Sequence, residues 1–115
     1  MKILVIESDE LVRNTVKKLL ESRGHKVITA AFGEEGLLEF EKNSDCDLVI
    51  SDMIMDTRIT GIDVFRSIRA RNEDIELCIY TGDLSDDLKK KASLLRAKAL
   101  WKGTEFDELC KELGI

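Results

Sequence analysis

Short apolar runs alternate five times with longer amphipathic stretches, and this alternation constrains the fold more than any other feature. The apolar runs cover 3–6, 27–30, 48–50, 77–80 and 99–101. Helical periodicity predicts helices over 10–23, 33–43 and 61–71, one capped by Ser85, and a last one capped by Thr104. Continuous apolar runs are typical of strands buried on both faces of a parallel sheet. The pattern predicts an α/β fold, a five-stranded parallel sheet doubly wound with five helices.

Length and charge narrow the class of protein further. The chain has 115 residues, which predicts a single domain over 1–115. Its net charge of −5 disfavours nucleic acid or an anionic membrane as a partner of this domain. No apolar run approaches the ~20 residues of a membrane span, and the segment 1–7 is too short for a signal peptide. We therefore expect a cytoplasmic protein.

The cysteines do not predict a disulfide framework or a zinc site. Cys46, Cys78 and Cys110 are odd in number and lack a Cys-x-x-Cys or Cys/His spacing. We expect three reduced thiols, buried or half-buried.

Acidic and phosphate-compatible residues follow four of the predicted strands. The strand ends carry Glu7-Ser8-Asp9, Asp52, Thr81-Gly82-Asp83 and Lys102-Gly103. In an open parallel sheet these ends meet at one edge, near the switch point. Carboxylates there suit Mg²⁺ or covalent aspartyl-phosphate chemistry, and a hydroxyl with an ammonium suits phosphoryl oxygens. A nucleotide-binding enzyme is disfavoured, because no Gly-x-Gly-x-x-Gly or phosphate-binding loop motif follows a strand.

With these residues in this order, the chain resembles a response-regulator receiver domain of bacterial two-component signalling. The resemblance covers nearly the whole chain and is carried by Ile3-Leu4-Val5-Ile6-Glu7-Ser8-Asp9, Gly33-Glu34-Glu35-Gly36, the run from Asp47 to Met55, Gly61, Thr81-Gly82 and Lys102. It implies a flavodoxin-like fold with strand order 2-1-3-4-5. It also implies a signalling module that is not an enzyme.

The resemblance implies a role for each matched site residue. Asp52 would accept a phosphoryl group from a histidine kinase or phosphotransfer protein, and Thr81 and Lys102 would contact that group. Glu7, Asp52 and the backbone carbonyl of Ile54 would hold Mg²⁺. The output would pass through the fourth helix, fifth strand and fifth helix, a surface that would also serve a homodimer.

Three departures from the family pattern set further expectations. Ser8 stands where the family has a second acid, so Mg²⁺ binding is expected to be weak; Asp9 is either a metal ligand or a helix cap. Ala99 stands at the position of the family's switch aromatic. Gly103 replaces a proline, which predicts a trans Lys102–Gly103 peptide. The alternative function is a phosphorylation-independent pseudo-receiver that acts as a protein-interaction module.

Other notable residues have ordinary structural explanations. Asp56 and Asp83 are expected to be solvated loop acids, and His25 a loop residue. Trp101 is expected to pack on the fifth strand.

Overall fold

The computed structural model describes residues 1–55 and 58–115, so Asp56 lies outside the described residues. The elements are β1 (Lys2–Ile6), α1 (Glu10–Ser22), β2 (Lys26–Ala30), α2 (Gly33–Lys42), β3 (Leu48–Ser51), α3 (Gly61–Arg71), β4 (Glu76–Thr81), α4 (Asp86–Leu94), β5 (Lys98–Trp101) and α5 (Phe106–Leu113). The strands form one parallel sheet in the order β2-β1-β3-β4-β5. The predicted fold class and strand order are confirmed.

The sheet buries alternate strand residues on its two faces. Leu4 and Ile6 pack with the apolar residues of α2, α3 and α4. Ile3 and Val5 pack with those of α1 and α5. This explains why β1 is apolar at four consecutive positions, since each of the four side chains is at most 2% exposed.

The helix starts confirm two predicted caps and correct one. Asp9 caps α1 by accepting from the Val12 N–H at 3.0 Å, and Ser85 caps α4. The prediction that Thr104 caps the last helix is wrong, because α5 starts after Glu105. The Thr104 N–H instead donates to the Trp101 carbonyl at 2.9 Å, which closes a turn and delays the helix.

Some predicted boundaries shift by a residue or two. α1 ends at Ser22 and α2 at Lys42, each one residue earlier than predicted. β3 includes Ser51, and β4 continues to Thr81. The longer β4 keeps Thr81 paired with Trp101 in the ladder up to the carboxyl edge, so Thr81 belongs to the strand rather than to the loop.

The ladder register sets the residues of the carboxyl edge. Ile6 is the partner of Ser51, and the Asp52 N–H donates to the Ile6 carbonyl at 3.0 Å. Glu7 and Asp52 therefore leave adjacent strands side by side, where the strand order reverses. On β5, the Lys102 N–H donates to the Thr81 carbonyl at 2.7 Å. The four predicted strand ends thus reach one edge.

The remaining structural predictions have mixed outcomes. The three cysteines are free and buried, Asp83 is exposed, and His25 is a half-buried loop residue. The expectation that Trp101 packs on the fifth strand is wrong, because the residue is 54% exposed. Within the described ranges, no helix has the length and apolar character needed to cross a membrane.

Candidate functional site

A lysine ammonium lies between two carboxylates at the carboxyl edge of the sheet. Nζ of Lys102 is 2.7 Å from Oε1 of Glu7 and 3.0 Å from Oδ2 of Asp52. These residues follow β5, β1 and β3, so the strand order alone brings them together. The arrangement places two acids and one cation within direct hydrogen-bonding distance.

Glu7 is a deeply buried charged residue at this site, with 3% of its surface exposed. Its second oxygen, Oε2, accepts from the Asp9 N–H at 3.1 Å. Burial raises the pKa of the Glu7 carboxyl, although the hydrogen bond from Lys102 opposes that rise. The carboxylate of Glu7 is therefore costly to keep ionised without a neighbouring cation.

Lys102 supplies that cation. Burial alone would lower the pKa of its ammonium, but the hydrogen bonds and the negative charges of Glu7 and Asp52 together outweigh burial and raise it. The side chain consequently stays protonated at neutral pH and holds both acids.

Asp52 combines a fixed orientation with partial access from solvent. Oδ1 accepts from the Met53 N–H at 2.8 Å, while Oδ2 faces Lys102. The Asp52 side chain is 12% exposed, compared with 5% for that of Glu7. Asp52 is the more accessible of the two carboxylates to a reactant arriving at the edge.

Gly61 is required by the backbone of Asp52. A Cβ at position 61 would overlap the Asp52 carbonyl oxygen and would lie 2.8 Å from Cδ1 of Ile79. The same close approach lets the Gly61 N–H donate to the Met53 carbonyl at 2.9 Å. The start of α3 is thereby packed against the segment that carries Asp52.

Thr81 reaches the same edge but is not bonded to the three charged groups in the described residues. It is buried, and its Oγ1 accepts from the Asp83 N–H at 3.2 Å. Beside it lies a cavity of about 180 Å³ whose lining includes Met53, Ile54, Thr81 and Asp83. Thr81 thus borders a space that is also lined by the two residues that follow Asp52.

The turn that carries Lys102 is shaped by an aromatic ring. The described residues contain no cis peptide bond, so the Lys102–Gly103 peptide is trans, as predicted. A Cβ at Gly103 would overlap the ring of Trp101. A larger residue at position 103 would require that exposed ring to move.

Comparison with known proteins identifies the family. The family model described as the response regulator receiver domain matches residues 3–113. The chain belongs to the response-regulator receiver family. The receiver is also 34% identical over 91 residues to the cell cycle transcriptional regulator CtrA of Caulobacter vibrioides, an alignment that covers 79% of this chain. It spans only 38% of the length of CtrA.

Solved structures give the same result. A receiver domain protein from Clostridium thermocellum has a TM-score of 0.91 and 32% identity, over 98% of this chain and 90% of that one. The response regulator TrrA from Thermotoga maritima, solved in complex with Mg²⁺-BeF, has a TM-score of 0.87 and 28% identity, over 98% of this chain and 96% of that one.

Membership of the family carries general properties. Receiver domains are typically non-catalytic signalling modules of two-component systems. They interact with histidine kinases and bind Mg²⁺ at the phosphorylation site.

The donor set of this receiver fits a hard divalent cation. Glu7 and Asp52 already share one cation, the Lys102 ammonium, so a single position is within reach of both carboxylates. Mg²⁺ is commonly bound through one or two carboxylates and keeps several waters. Throughout the described parts of the chain, no three His, Cys, Asp or Glu side chains form a metal-binding group. The fit to Mg²⁺ rests on the two carboxylates within reach of one position, with water supplying further oxygen ligands.

The sequence also pointed to Asp9, Ser8 and the Ile54 carbonyl near this position. Oδ1 of Asp9 is engaged as the helix cap. Ser8 is half-buried, and Ile54, whose backbone carbonyl is the predicted ligand, is 72% exposed on the loop after Asp52.

Two residues at the receiver site had no role in the sequence interpretation. Arg13 donates from Nη1 to the Glu7 carbonyl at 2.8 Å and holds the loop after β1. The Tyr80 hydroxyl donates to the Lys102 carbonyl at 3.2 Å. No spacing rule identifies Arg13, but Tyr80 gives a weak signal, since a phenol in a buried apolar strand needs a hydrogen-bond partner.

Proposed function

We propose that this receiver accepts a phosphoryl group on Asp52 from the phosphohistidine of a histidine kinase or phosphotransfer protein. The observation that carries the proposal is the Lys102 ammonium held between Asp52 and Glu7 at the carboxyl edge. A partly exposed carboxylate beside a fixed cation can act as a nucleophile and have the resulting phosphoryl charge stabilised.

The transfer is a displacement at phosphorus. A carboxylate oxygen of Asp52 forms the new P–O bond as the P–N bond to the donor imidazole breaks. The imidazole nitrogen keeps the electron pair and takes up a proton. Lys102 can turn from the carboxylates to the phosphoryl oxygens without leaving the site, and Thr81 borders the adjoining space. A bound Mg²⁺ would neutralise phosphoryl charge, and Glu7, Asp52 and the Ile54 carbonyl would hold it.

The test is phosphorylation by a small phosphodonor. Acetyl phosphate with Mg²⁺ is expected to add one phosphoryl mass to the intact protein, and Asp52→Asn is expected to abolish the addition. Asp83→Asn is the matched control, because it removes an exposed acid from the neighbouring strand end. Labelling that survives in Asp52→Asn, or is lost in Asp83→Asn, would contradict Asp52 as the acceptor.

A pseudo-receiver is the second candidate function, favoured by Ser8 at the second acid position and Ala99 at the aromatic position. In that case the Lys102 bridge is a permanent structural contact and the chain binds its partner without phosphorylation. Intact protein that gains no phosphoryl mass from acetyl phosphate at high Mg²⁺ would favour this function over phosphoryl transfer.

The setting of the receiver is proposed from its chemistry. Three free buried thiols are compatible with the reducing cytoplasm, and the net charge of −5 disfavours nucleic acid as a partner of this domain. We place output and a homodimer contact on α4, β5 and α5, where Leu94 and Trp101 are exposed. Sedimentation with and without phosphodonor tests the dimer.

A further inference from the structure

The main chain of Lys102 is held by two consecutive residues of β4. Its N–H donates to the Thr81 carbonyl at 2.7 Å, and its carbonyl accepts from the Tyr80 hydroxyl at 3.2 Å. The first bond continues the ladder between β4 and β5. The second lies beyond the ladder and depends on one side chain.

Tyr80 is built to keep this second bond. Its ring packs against the apolar cluster on the face covered by α1 and α5, and this packing restricts where the hydroxyl can lie. Burial raises the pKa of the Tyr80 hydroxyl, so it stays protonated and donates at neutral pH.

A backbone hydrogen bond also closes the turn around Lys102, because the Thr104 N–H donates to the Trp101 carbonyl at 2.9 Å. That bond spans Lys102 without contacting its own carbonyl. The next residue is Gly103, which lacks the fixed ring of a proline. The Trp101 ring covers Gly103 but is itself 54% exposed. The Tyr80 hydroxyl therefore adds a side-chain restraint on the Lys102 carbonyl itself, in the middle of the turn.

We propose that Tyr80 is a positioning residue for Lys102. The Tyr80 hydroxyl fixes the backbone of Lys102, from which the ammonium reaches Asp52 and Glu7. Tyr80 touches no reacting group and acts through the Lys102 carbonyl. The proposal deepens the proposed function, because the positioned ammonium is the one assigned to the phosphoryl group.

The first test measures the ammonium directly and does not require phosphorylation. Wild type and Tyr80→Phe, which keeps the ring, are treated briefly with an acylating reagent without Mg²⁺, and each lysine is quantified by peptide mass spectrometry. The rate at Lys102 relative to exposed Lys89 is expected to rise about threefold or more in Tyr80→Phe.

Lys2 is the internal control, since it is also partly buried and paired with an acid, Asp45, at 2.8 Å. Its relative rate should not change. An unchanged Lys102 ratio would overturn the proposal, as would an equal rise at Lys2, because that rise would indicate general loosening of the fold.

The second test is a double-mutant cycle on beryllofluoride binding in Mg²⁺. Tyr80→Phe is expected to weaken binding about fivefold in wild type and to have no further effect in Lys102→Met. Equal weakening in both backgrounds would show that Tyr80 does not act through Lys102. If wild type does not bind beryllofluoride, the proposed function fails, while the acylation ratio still decides the role of Tyr80.

Discussion

Ser8 sets how much negative charge surrounds the proposed metal position. The site has two carboxylates, on Glu7 and Asp52, and one of the charges that they bring is balanced by Lys102. An acid at position 8 would add a third carboxylate to the loop after β1. With serine at position 8, the site offers an incoming divalent cation about one net negative charge. The cation must also compete with the Lys102 ammonium for the two carboxylates.

Changing Ser8→Asp is therefore expected to tighten Mg²⁺ binding by at least about tenfold, because a third carboxylate attracts a divalent ion strongly even at an effective dielectric of about 20. Isothermal titration calorimetry on both proteins measures the change. Asp9→Ala is the comparison, since that side chain caps α1. Unchanged affinity in Ser8→Asp with a large loss in Asp9→Ala would mean that Asp9 is the missing ligand.

Gly61 is the second residue whose identity the site depends on. In Gly61→Ala the new methyl group must push against the Asp52 carbonyl and Ile79. We expect the free energy of unfolding to fall by about 1–3 kcal/mol, as measured by urea denaturation. Gly82→Ala is the matched control, because nothing lies within 4 Å of a Cβ there. Equal stability of the two variants would contradict the close packing at Gly61.

Among the elements, α3 has the most completely capped start, and this start adjoins the site. The Asp63 carboxylate accepts from the Thr60 N–H at 2.9 Å, while Thr60 Oγ1 accepts from the Asp63 N–H at 3.3 Å. This reciprocal pair fixes the helix whose first residue, Gly61, packs against Asp52.

Removal of this cap by Asp63→Ala has an expected pH dependence. The hydrogen bond from the Thr60 backbone lowers the pKa of Asp63 below its ordinary value of 3.8. The carboxylate therefore stabilises the fold above that value, and the stabilisation is lost as the pH falls through the lower, folded-state pKa. We expect Asp63→Ala to cost about 1 kcal/mol at pH 7.

Denaturation of wild type and Asp63→Ala from pH 7 to pH 3 measures this difference, which should shrink below about pH 4. Asp86→Ala, an exposed first-turn acid of α4, controls for the general effect of removing a charge at a helix start. A difference that stays constant over the range would mean that the ionised form of Asp63 is not what stabilises α3.

The sequence was sufficient to predict features that depend on the residue pattern within one strand or helix. Apolar runs and helical periods identify the strands and helices, and the parallel arrangement places Glu7, Asp52 and Lys102 at one edge. The predictions were wrong for features that depend on a contact with a residue outside that strand or helix. Thr104 looks like a cap, but the turn back to Trp101 occupies it. The sequence pattern predicts that Trp101 packs on the sheet. The residue is exposed instead, because β5 is an edge strand and the absence of a side chain at Gly103 lets the ring lie over the turn.

The same limit applies to long polar side chains. Arg69 on α3 donates to backbone carbonyls of two loops at the opposite edge, those of Asn72, Glu73, Ile75, Leu95 and Arg96. Nothing in its local sequence distinguishes it from the exposed Arg66 one turn earlier. Arg13 was missed because the Glu7 carbonyl that it contacts has no signature in the sequence. The phenol of Tyr80 indicated only that it needs a hydrogen-bond partner, not which one.

At the scale of the whole molecule, the two faces of the sheet bury the cysteines. Cys78 on β4 and Cys110 on α5 belong to the cluster beneath α1 and α5, and Cys46 to the opposite one. Burial raises the pKa of the Cys78 thiol to about 12. The thiolate that reacts with alkylating reagents is therefore almost absent from the folded state at pH 8.

Labelling of Cys78 is accordingly expected to follow global unfolding. Iodoacetamide at pH 8 should leave Cys78 unmodified in the native protein and modify it rapidly in guanidinium, as counted by mass spectrometry. Gly61→Ala, with its lower stability, should label faster than Gly82→Ala. Modification of native Cys78 at the denatured rate would show that β4 opens without global unfolding.

The surroundings of Lys102 also contain the residues that dominate the near-ultraviolet absorption and the fluorescence of the protein. The chain has one tyrosine and one tryptophan. Tyr80 donates to the Lys102 carbonyl, and Trp101 immediately precedes Lys102 with its ring over Gly103. Both principal near-ultraviolet chromophores therefore flank the same residue, and the four phenylalanines add little at those wavelengths. The near-ultraviolet circular dichroism and the intrinsic fluorescence of the native molecule consequently come from two rings that both lie close to Lys102, so movement of Lys102 can be followed optically without an attached dye.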